Sequence, residues 1–282
     1  MSVFGSSSLL GRVLRSPAGV IGLFALLSIF FMAATAGLFF PRGPFALVSR
    51  PYLWPGTREG LPFGTDPLGR DMLAGIFYGS RISLLVGFVA TACALIVGIF
   101  VGSVSGYFGG KADAVLMRVT DAIQTIPGFL FAIVLVGILS PSLFNIILAI
   151  ATVSWPPIAR LTRAEVLRVR AMEYVDACRL VGMSHARIIF TQILPNSLSP
   201  VIVATAVLVA TAIITEAGLS FLGLGDPNVM SWGTLINAGR SSIRTSWYIS
   251  IIPSLFIVLT VLALNLLGDA VNDALNPYFR KR

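Results

Sequence analysis

Long uncharged, apolar windows dominate this 282-residue chain. They cover residues 17–40, 82–108, 122–159, 188–215 and 245–268. A helix of about 20 apolar residues crosses the core of a bilayer. The third window is too long for one helix and contains the turn signal Ser140-Pro141-Ser142, so we divide it in two. The pattern predicts an all-α, polytopic membrane protein with six transmembrane helices.

The first window has some features of a secretory signal peptide. Arg12 and Arg15 precede it, and Ala34-Thr35-Ala36 resembles a cleavage site. The apolar stretch is longer than that of a typical signal peptide and continues past the site, so we expect a retained first span.

Composition and charge agree with a membrane protein and predict its orientation. The chain is 56% hydrophobic and 11% charged, against about 25% charged residues in soluble proteins. The net charge of +8 does not indicate nucleic-acid binding, because the arginines lie between apolar windows and form no basic domain. With both termini inside, thirteen basic residues fall on the cytoplasmic side and seven outside. The positive-inside rule therefore predicts cytoplasmic N- and C-termini, a cytoplasmic segment 160–197 and an outer loop 41–80.

The cytoplasmic segment contains the sequence EYVDACRLVGMSHARIIFTQILP at 173–195. We expect the fourth span to continue from Arg160 as one helix to a turn at Gly182. Ser184 would then cap a second short helix, and Pro195 would end it. A short loop cannot bury all the apolar residues of this segment. They would lie on the membrane interface or fill a groove in a cytosolic partner, and the pattern leaves both open.

The same segment resembles the EAA loop of ABC-importer permeases. Asp176-Ala177-Cys178 stands at the Glu-Ala-Ala position, and Gly182 and Leu194-Pro195 follow at the expected spacing. Asp for Glu and Cys for the second Ala depart from the pattern. Further stretches resemble the C-type permease subunit of the dipeptide/oligopeptide/nickel importer family: FGTDPLGRDMLAGIFYGSRISLLVG at 63–87, GGKADAVLMRVTDAIQTIPGFLFAI at 109–133, EAGLSFLGLG at 216–225 and the closing GDAVNDALNPYFRKR.

The resemblance implies a type I ABC importer transmembrane fold in a bacterial or archaeal cytoplasmic membrane. Residues 63–282 would form the transmembrane domain with five spans and the EAA coupling loop at 160–197. Residues 1–62 would add the N-terminal tail, the first span and the start of the outer loop. The family's activity is ATP-driven import, for which such a subunit forms half of the translocation pore. Di- and oligopeptides are the expected cargo, with nickel, opines or another small solute as alternatives.

The resemblance also implies the partners. A second, B-type permease would complete a heterodimer, an extracytoplasmic binding protein would deliver substrate, and membrane lipid would surround the spans. Two ATPase subunits would bind ATP and Mg²⁺ and receive the EAA loop, so this chain would bind no cofactor. The residues expected to carry this coupling are Glu173, Asp176, Ala177, Cys178, Gly182, Ile193, Leu194 and Pro195.

A second candidate group lies in the outer loop, within the sequence GTDPLGRD. These residues would fold the loop through turns and ion pairs, or contact the binding protein; we favour folding because the glycines and the proline indicate local turns. The group comprises Gly64, Thr65, Asp66, Gly69, Arg70 and Asp71. Asp121 is expected at the N-terminal end of the third span, where negative charge is favourable.

Glu216 is an acid well inside an apolar window. Because an acid in a span is costly, it is a candidate functional residue on the translocation path. The alternative, which we favour, is a glutamate hydrogen-bonded to a neighbouring helix.

Two other functional classes fit the sequence less well. A self-contained secondary transporter would need coupling charges within its spans and often has inverted repeats. An intramembrane enzyme would need a nucleophile with a base, or metal ligands, at membrane depth. The sequence has one histidine, His185, no P-loop motif and no CxxC pair around Cys93 or Cys178. We therefore expect a subunit without catalytic or metal-binding residues.

Overall fold

The computed structural model describes residues 9–275. Most of these residues are helical, and none of them forms a β-strand. The part of the closing motif that follows Leu275 lies outside the described residues. It includes the last three basic residues counted on the cytoplasmic side. The helices are α1 (Leu9–Val13), α2 (Pro17–Phe39), α3 (Met72–Phe108), α4 (Gly110–Gln124), α5 (Gly128–Leu139), α6 (Leu143–Arg170), α7 (Glu173–Leu180), α8 (His185–Ile188), α9 (Leu194–Ser197), α10 (Ser199–Leu219), α11 (Trp232–Ala238) and α12 (Tyr248–Leu275).

Among the described residues, five helices are long and apolar enough to cross a membrane: α2, α3, α6, α12 and α10, which continues as a π-helix to Leu224. The second span begins at Met72 rather than at 82, so the predicted start was wrong. Asp71 caps this helix, and Arg81 does not interrupt it. The Arg81 guanidinium instead donates hydrogen bonds to the carbonyls of Ala33 and Ala34 on α2.

The third span differs from the prediction most. The uncharged window predicted a span from 122 to 139, but α4 ends at Gln124 and α5 begins at Gly128, with an angle of 81° between them. Pro127 lies at the break. Proline lacks an N–H donor and disfavours a helical conformation in the residue before it, which explains why the helix does not continue.

Helix packing requires the chain to cross six times within the described residues. α2 and α3 are antiparallel, since the Tyr78 hydroxyl donates to the Phe40 carbonyl at 3.1 Å and the ring centroids of Phe30 and Phe88 are 5.6 Å apart. α3 and α6 are parallel, because Gly98, Gly102 and Gly106 of α3 face Ile158, Ala159 and Val166 of α6 in the same order along the chain. The chain must therefore cross back between them, and α4 and α5, taken together as one bent span, provide that crossing.

The contact between α3 and α6 depends on small residues. Gly98, Gly102 and Gly106 follow one another at four-residue spacing on the face of α3 that meets α6. A Cβ at Gly102 would lie 2.5 Å from the Ala159 carbonyl oxygen, so the two backbones approach too closely for any side chain there. Small residues allow this close approach of helices in membranes.

The two ends of the described chain lie together. α2 packs antiparallel on α12, with Gly19 beside Ala270 and Gly22 beside Ala263. The Arg12 guanidinium donates to the Ala274 carbonyl at 2.8 Å. Both ends are therefore on the same side of the helix bundle, as an even number of spans requires.

Candidate coupling site

Residues 171–198, called here the coupling segment, form a helix, a turn and a second helical stretch. Gly182 has φ of +78° between α7 and α8, and the Ser184 hydroxyl accepts a hydrogen bond from the Arg187 N–H at 3.4 Å. The predicted glycine turn and serine cap are therefore confirmed.

Two details of the predicted segment were wrong. The expected single helix from 160 breaks at Ala171-Met172, and this break returns α7 to the end of α6, so that Val175 is buried against Val166 and Val169. Pro195 does not end the second helical stretch, which continues through a π-turn to Ser197. Pro195 lies in the first turn of α9, where a missing N–H costs little.

The buried face of the coupling segment packs on the inner ends of two spans. Val175, Ile188 and Ile193 form one cluster with Val166 and Val169 of α6 and with Tyr107 of α3. A displacement of this segment therefore acts directly on α3 and α6, because close-packed interiors transmit strain.

Tyr107 and His185 form a contact that the sequence did not predict. The hydroxyl of Tyr107 lies 2.8 Å from Nδ1 of His185, and the guanidinium of Arg179 lies 5.6 Å from the centroid of the tyrosine ring. The available signal was a tyrosine in the last turn of a span, separated from Gly109-Gly110 by Phe108 alone.

The coupling segment exposes the apolar side chains of Leu180, Val181 and Phe190, which are together called its tip. Leu180 is 90% exposed, Val181 80% and Phe190 69%. The residues expected from the EAA pattern divide between two faces. Glu173, Asp176, Ala177, Gly182 and Pro195 are exposed, whereas Cys178 and Leu194 are partly buried and Ile193 is buried.

The outer loop is folded by the residues of the GTDPLGRD motif. Gly64 and Gly69 have φ of +71° and +82°, and a Cβ at Gly69 would lie 2.1 Å from the Ser49 carbonyl oxygen. The Thr65 hydroxyl donates to the Arg50 carbonyl at 2.8 Å and accepts from the Leu53 N–H at 2.9 Å.

The charged residues of the motif act locally. Asp66 Oδ1 accepts hydrogen bonds from the N–H groups of Leu68 and Arg70, both at 2.8 Å, and its Oδ2 is 3.9 Å from Arg70 Nε. Asp71 caps α3 by accepting from the Leu73 N–H at 2.8 Å. Burial raises the pKa of the Asp71 carboxyl, against the effect of this bond. These contacts support the folding role, with an ion pair between Asp66 and Arg70 and a helix cap at Asp71. A contact with a binding protein stays a prediction.

Glu216 is buried between three helices. Its Oε2 accepts from the Ser83 hydroxyl of α3 at 3.2 Å, and its Oε1 accepts from the Ser220 hydroxyl at 2.7 Å. The N–H of Trp232 in α11 donates to the same Ser83 oxygen at 3.3 Å. This geometry favours the packing interpretation, and a role on the translocation path stays a prediction.

Comparison with known proteins identifies the chain's family. The sequence profile of the family described as binding-protein-dependent transport system inner membrane component matches residues 94–281. The chain belongs to this family. Together with the curated relatives below, this match confirms the resemblance to C-type permeases of the peptide ABC importer family.

Curated relatives match this permease over most of its length. It is 39% identical over 262 residues to a di/tripeptide transport system permease protein of Pseudomonas aeruginosa, covering 91% of this chain and 86% of the relative. It is 37% identical over 278 residues to a dipeptide transport system permease protein of Bacillus subtilis, covering 96% and 85%. The permease is thus a multi-pass protein of the bacterial inner membrane and part of an ABC importer with further membrane and ATPase subunits and a substrate-binding protein.

Solved structures confirm the fold. An inward-facing structure of the MetNI methionine ABC transporter has a TM-score of 0.62 at 17% identity, covering 73% of this permease and 98% of that chain. An amino acid ABC transporter has a TM-score of 0.56 at 17% identity, covering 71% and 94%. The predicted ABC importer transmembrane fold is therefore confirmed.

Gly69→Ala is expected to destabilise the permease more than Gly43→Ala does. Both glycines have positive φ, which costs a residue with a Cβ about 1–2 kcal/mol. At Gly69 the new Cβ also meets the Ser49 carbonyl oxygen, whereas nothing lies within 4 Å at Gly43. Thermal unfolding of the two purified variants measures the difference. Equal melting temperatures would show that the outer loop does not hold this close contact.

Glu216→Gln is expected to retain assembly and transport, whereas Glu216→Leu destabilises the permease. The amide can still bond both serine hydroxyls. Leucine leaves the O–H groups of Ser83 and Ser220 without their acceptor, at a cost of about 1–3 kcal/mol. Unfolding temperature and uptake are measured for both variants. A stable Glu216→Gln permease that has lost transport would instead place Glu216 on the translocation path.

Proposed function

We propose that the permease forms one half of the pore of an ATP-driven importer of di- or oligopeptides, as a heterodimer with a B-type permease. Residues 63–282 act as its transmembrane domain and residues 1–62 add the first span. The outer loop bridges this division, since Thr65 bonds to Arg50. The exposed tip of the coupling segment carries the proposal.

The coupling segment has the two surfaces that a transmission element needs. Its base is buried against α3 and α6, so it moves with them. Its tip presents Leu180, Val181 and Phe190 to the outside of the permease. Exposed apolar groups at the end of a rigid element are typical of a docking site for a groove in a partner. We assign this groove to an ATPase subunit, one of two beneath the permease pair.

The orientation of the permease in the membrane follows from the assignment of the coupling segment to an ATPase subunit. The coupling segment, both termini and most basic residues lie in the cytoplasm, in agreement with the positive-inside rule. ATP and Mg²⁺ bind to the ATPase subunits. The permease contributes no catalytic group, and it converts the closing of the ATPases into movement of α3 and α6.

The assignment of peptides as cargo is supported by the relatives. Both curated relatives described above are named as permeases for peptides of two or three residues. A third, from Pectobacterium atrosepticum, is named a glutathione transport system permease protein and is 40% identical over 215 residues, covering 76% of this chain and 71% of the relative.

Reconstitution tests the proposal. The affinity-tagged permease, expressed with its neighbouring transporter genes, is expected to retain a B-type permease and ATPase subunits through purification. In proteoliposomes with the binding protein, uptake of radiolabelled dialanine is expected to require ATP. A permease that purifies alone and transports dialanine without ATP would contradict the proposal.

A further inference from the structure

The break between α4 and α5 lies inside the depth of the membrane. The Leu139 carbonyl at the outer end of α5 accepts from the Asn145 side chain at 2.8 Å, near the start of α6. From there α5 extends inward by 12 residues, which is about 18 Å against a hydrocarbon core of about 30 Å. At the break, a Cβ on Gly128 would lie 3.6 Å from Val153, in the middle of α6. Residues 125–127 are therefore non-helical backbone within the bilayer.

Such backbone is tolerated in a membrane where it is covered by protein or faces a water-filled cavity. Residues 125–130 are exposed in the described chain. A cavity of about 560 Å³ adjoins them, lined by Gln124, Thr125, Pro127, Val153 and Pro157 among others.

An exposed charge pair lines the same cavity. Asp121 Oδ1 is 2.5 Å from Arg160 Nη2, and the two side chains are 55% and 51% exposed. The expectation that Asp121 starts a span was wrong. It lies in the last turn of α4, where the carbonyl end of the helix disfavours negative charge and a nearby cation is favourable. A charged side chain within the membrane avoids a large desolvation cost only if it is in contact with water.

A second ion pair between α4 and α6 has a structural role. The Arg163 guanidinium binds both carboxylate oxygens of Asp113 at 2.6 Å each, and these side chains are 34% and 21% exposed. This bidentate pair holds α4 on α6. The pair of Asp121 and Arg160 makes a single hydrogen bond and is more exposed, so its two charges are available to other ions.

We propose that this cavity is a water-filled section of the translocation path, in which Asp121 binds the ammonium group and Arg160 the carboxylate group of a zwitterionic peptide. Each residue exchanges its partner in the pair for an opposite charge on the cargo. The assignment of the cargo rests on the proposed function, whereas the water-filled cavity does not.

Chemical labelling tests the cavity in the assembled transporter. Thr125→Cys and, as a control, Ile96→Cys are placed in a Cys93→Ala/Cys178→Ala background and treated with a membrane-impermeant cationic methanethiosulfonate. Ile96 is 71% exposed on the apolar surface of α3. Thr125→Cys is expected to react at least about tenfold faster, because the reagent reacts only in water. Equal, slow reaction at both positions would overturn the water-filled cavity.

Charge exchange tests the peptide contact. Asp121→Asn and Arg160→Gln are each expected to lower dialanine uptake roughly tenfold, with ATPase stimulation by the binding protein within about twofold of wild type. The double variant Asp121→Arg/Arg160→Asp rebuilds the pair in reverse. It is expected to stay deficient in uptake.

Two outcomes would overturn this contact, and a third separates it from the proposed function. Full uptake by the reversed pair would contradict the oriented contact, in which Asp121 binds the ammonium group and Arg160 the carboxylate group. Unchanged uptake in both single variants would show that the cargo does not contact them. If the wild-type complex takes up no dialanine with ATP, the proposed function and with it the peptide contact fail. The labelling result still decides whether the cavity holds water.

Discussion

Leu180→Asp is expected to abolish the coupling of ATP hydrolysis to transport while the permease still folds. Leu180 is 90% exposed, so its replacement removes no packing within the permease. In the complex it would carry a charge into an apolar groove. Losses at such central contacts are about 2 kcal/mol or more, which corresponds to roughly a thirtyfold weaker association. Uptake should fall by at least that factor.

The measurement compares uptake and ATPase activity in the same proteoliposomes, after the amount of inserted permease has been quantified. Ala171→Asp, at the exposed break between α6 and α7, is the control. It introduces the same charge at an exposed position away from the tip, and it is expected to behave as wild type. Normal uptake by Leu180→Asp would contradict docking through the tip.

Gly102→Leu is expected to prevent formation of the folded permease. A Cβ at this position would lie 2.5 Å from the Ala159 carbonyl oxygen and 2.7 Å from the Thr162 Cβ, both on α6. The larger side chain must separate α3 from α6, and overpacking of this kind costs about 1–3 kcal/mol or more. Because the coupling segment rests on both helices, its base would also lose its contacts.

Gly137→Leu on α5 is the matched control, since nothing lies within 4 Å of a Cβ there. The amount of permease in the membrane and its unfolding temperature in detergent are measured for both variants. We expect a clear loss for Gly102→Leu and near wild-type values for Gly137→Leu. A stable Gly102→Leu permease would show that α3 and α6 are not held in close contact.

The sequence predicted the spans because each span crosses the same apolar core of the bilayer and therefore needs a long uncharged window. The six crossings therefore follow from the uncharged windows, and the folded outer loop follows from its glycines and Asp66. Two boundaries did not follow. The start of α3 was missed because Arg81 is satisfied by carbonyls of another helix. The break before Gly128 was missed because the window is uncharged on both sides of Pro127.

The coupling segment was predictable in part. Its glycine turn and serine cap depend on neighbouring residues, so the local pattern was sufficient. The return of α7 onto α6 depends on the burial of Val175 by residues of other helices. The contact between Tyr107 and His185 joins positions 78 residues apart. The pair of Asp121 and Arg160 likewise depends on how α4 crosses α6, which no local pattern contains.

Cross-linking from the tip of the coupling segment tests the central claim most directly. Leu180→Cys, in the background without the two natural cysteines, is treated with a short thiol-reactive cross-linker in inner-membrane vesicles that contain the whole transporter. Val115→Cys on α4, which is 63% exposed, is the control. We predict an adduct between Leu180→Cys and an ATPase subunit, with none from the control. The absence of an ATPase adduct from Leu180→Cys in an assembled, transport-competent complex would contradict the claim that this segment couples the ATPases to the spans.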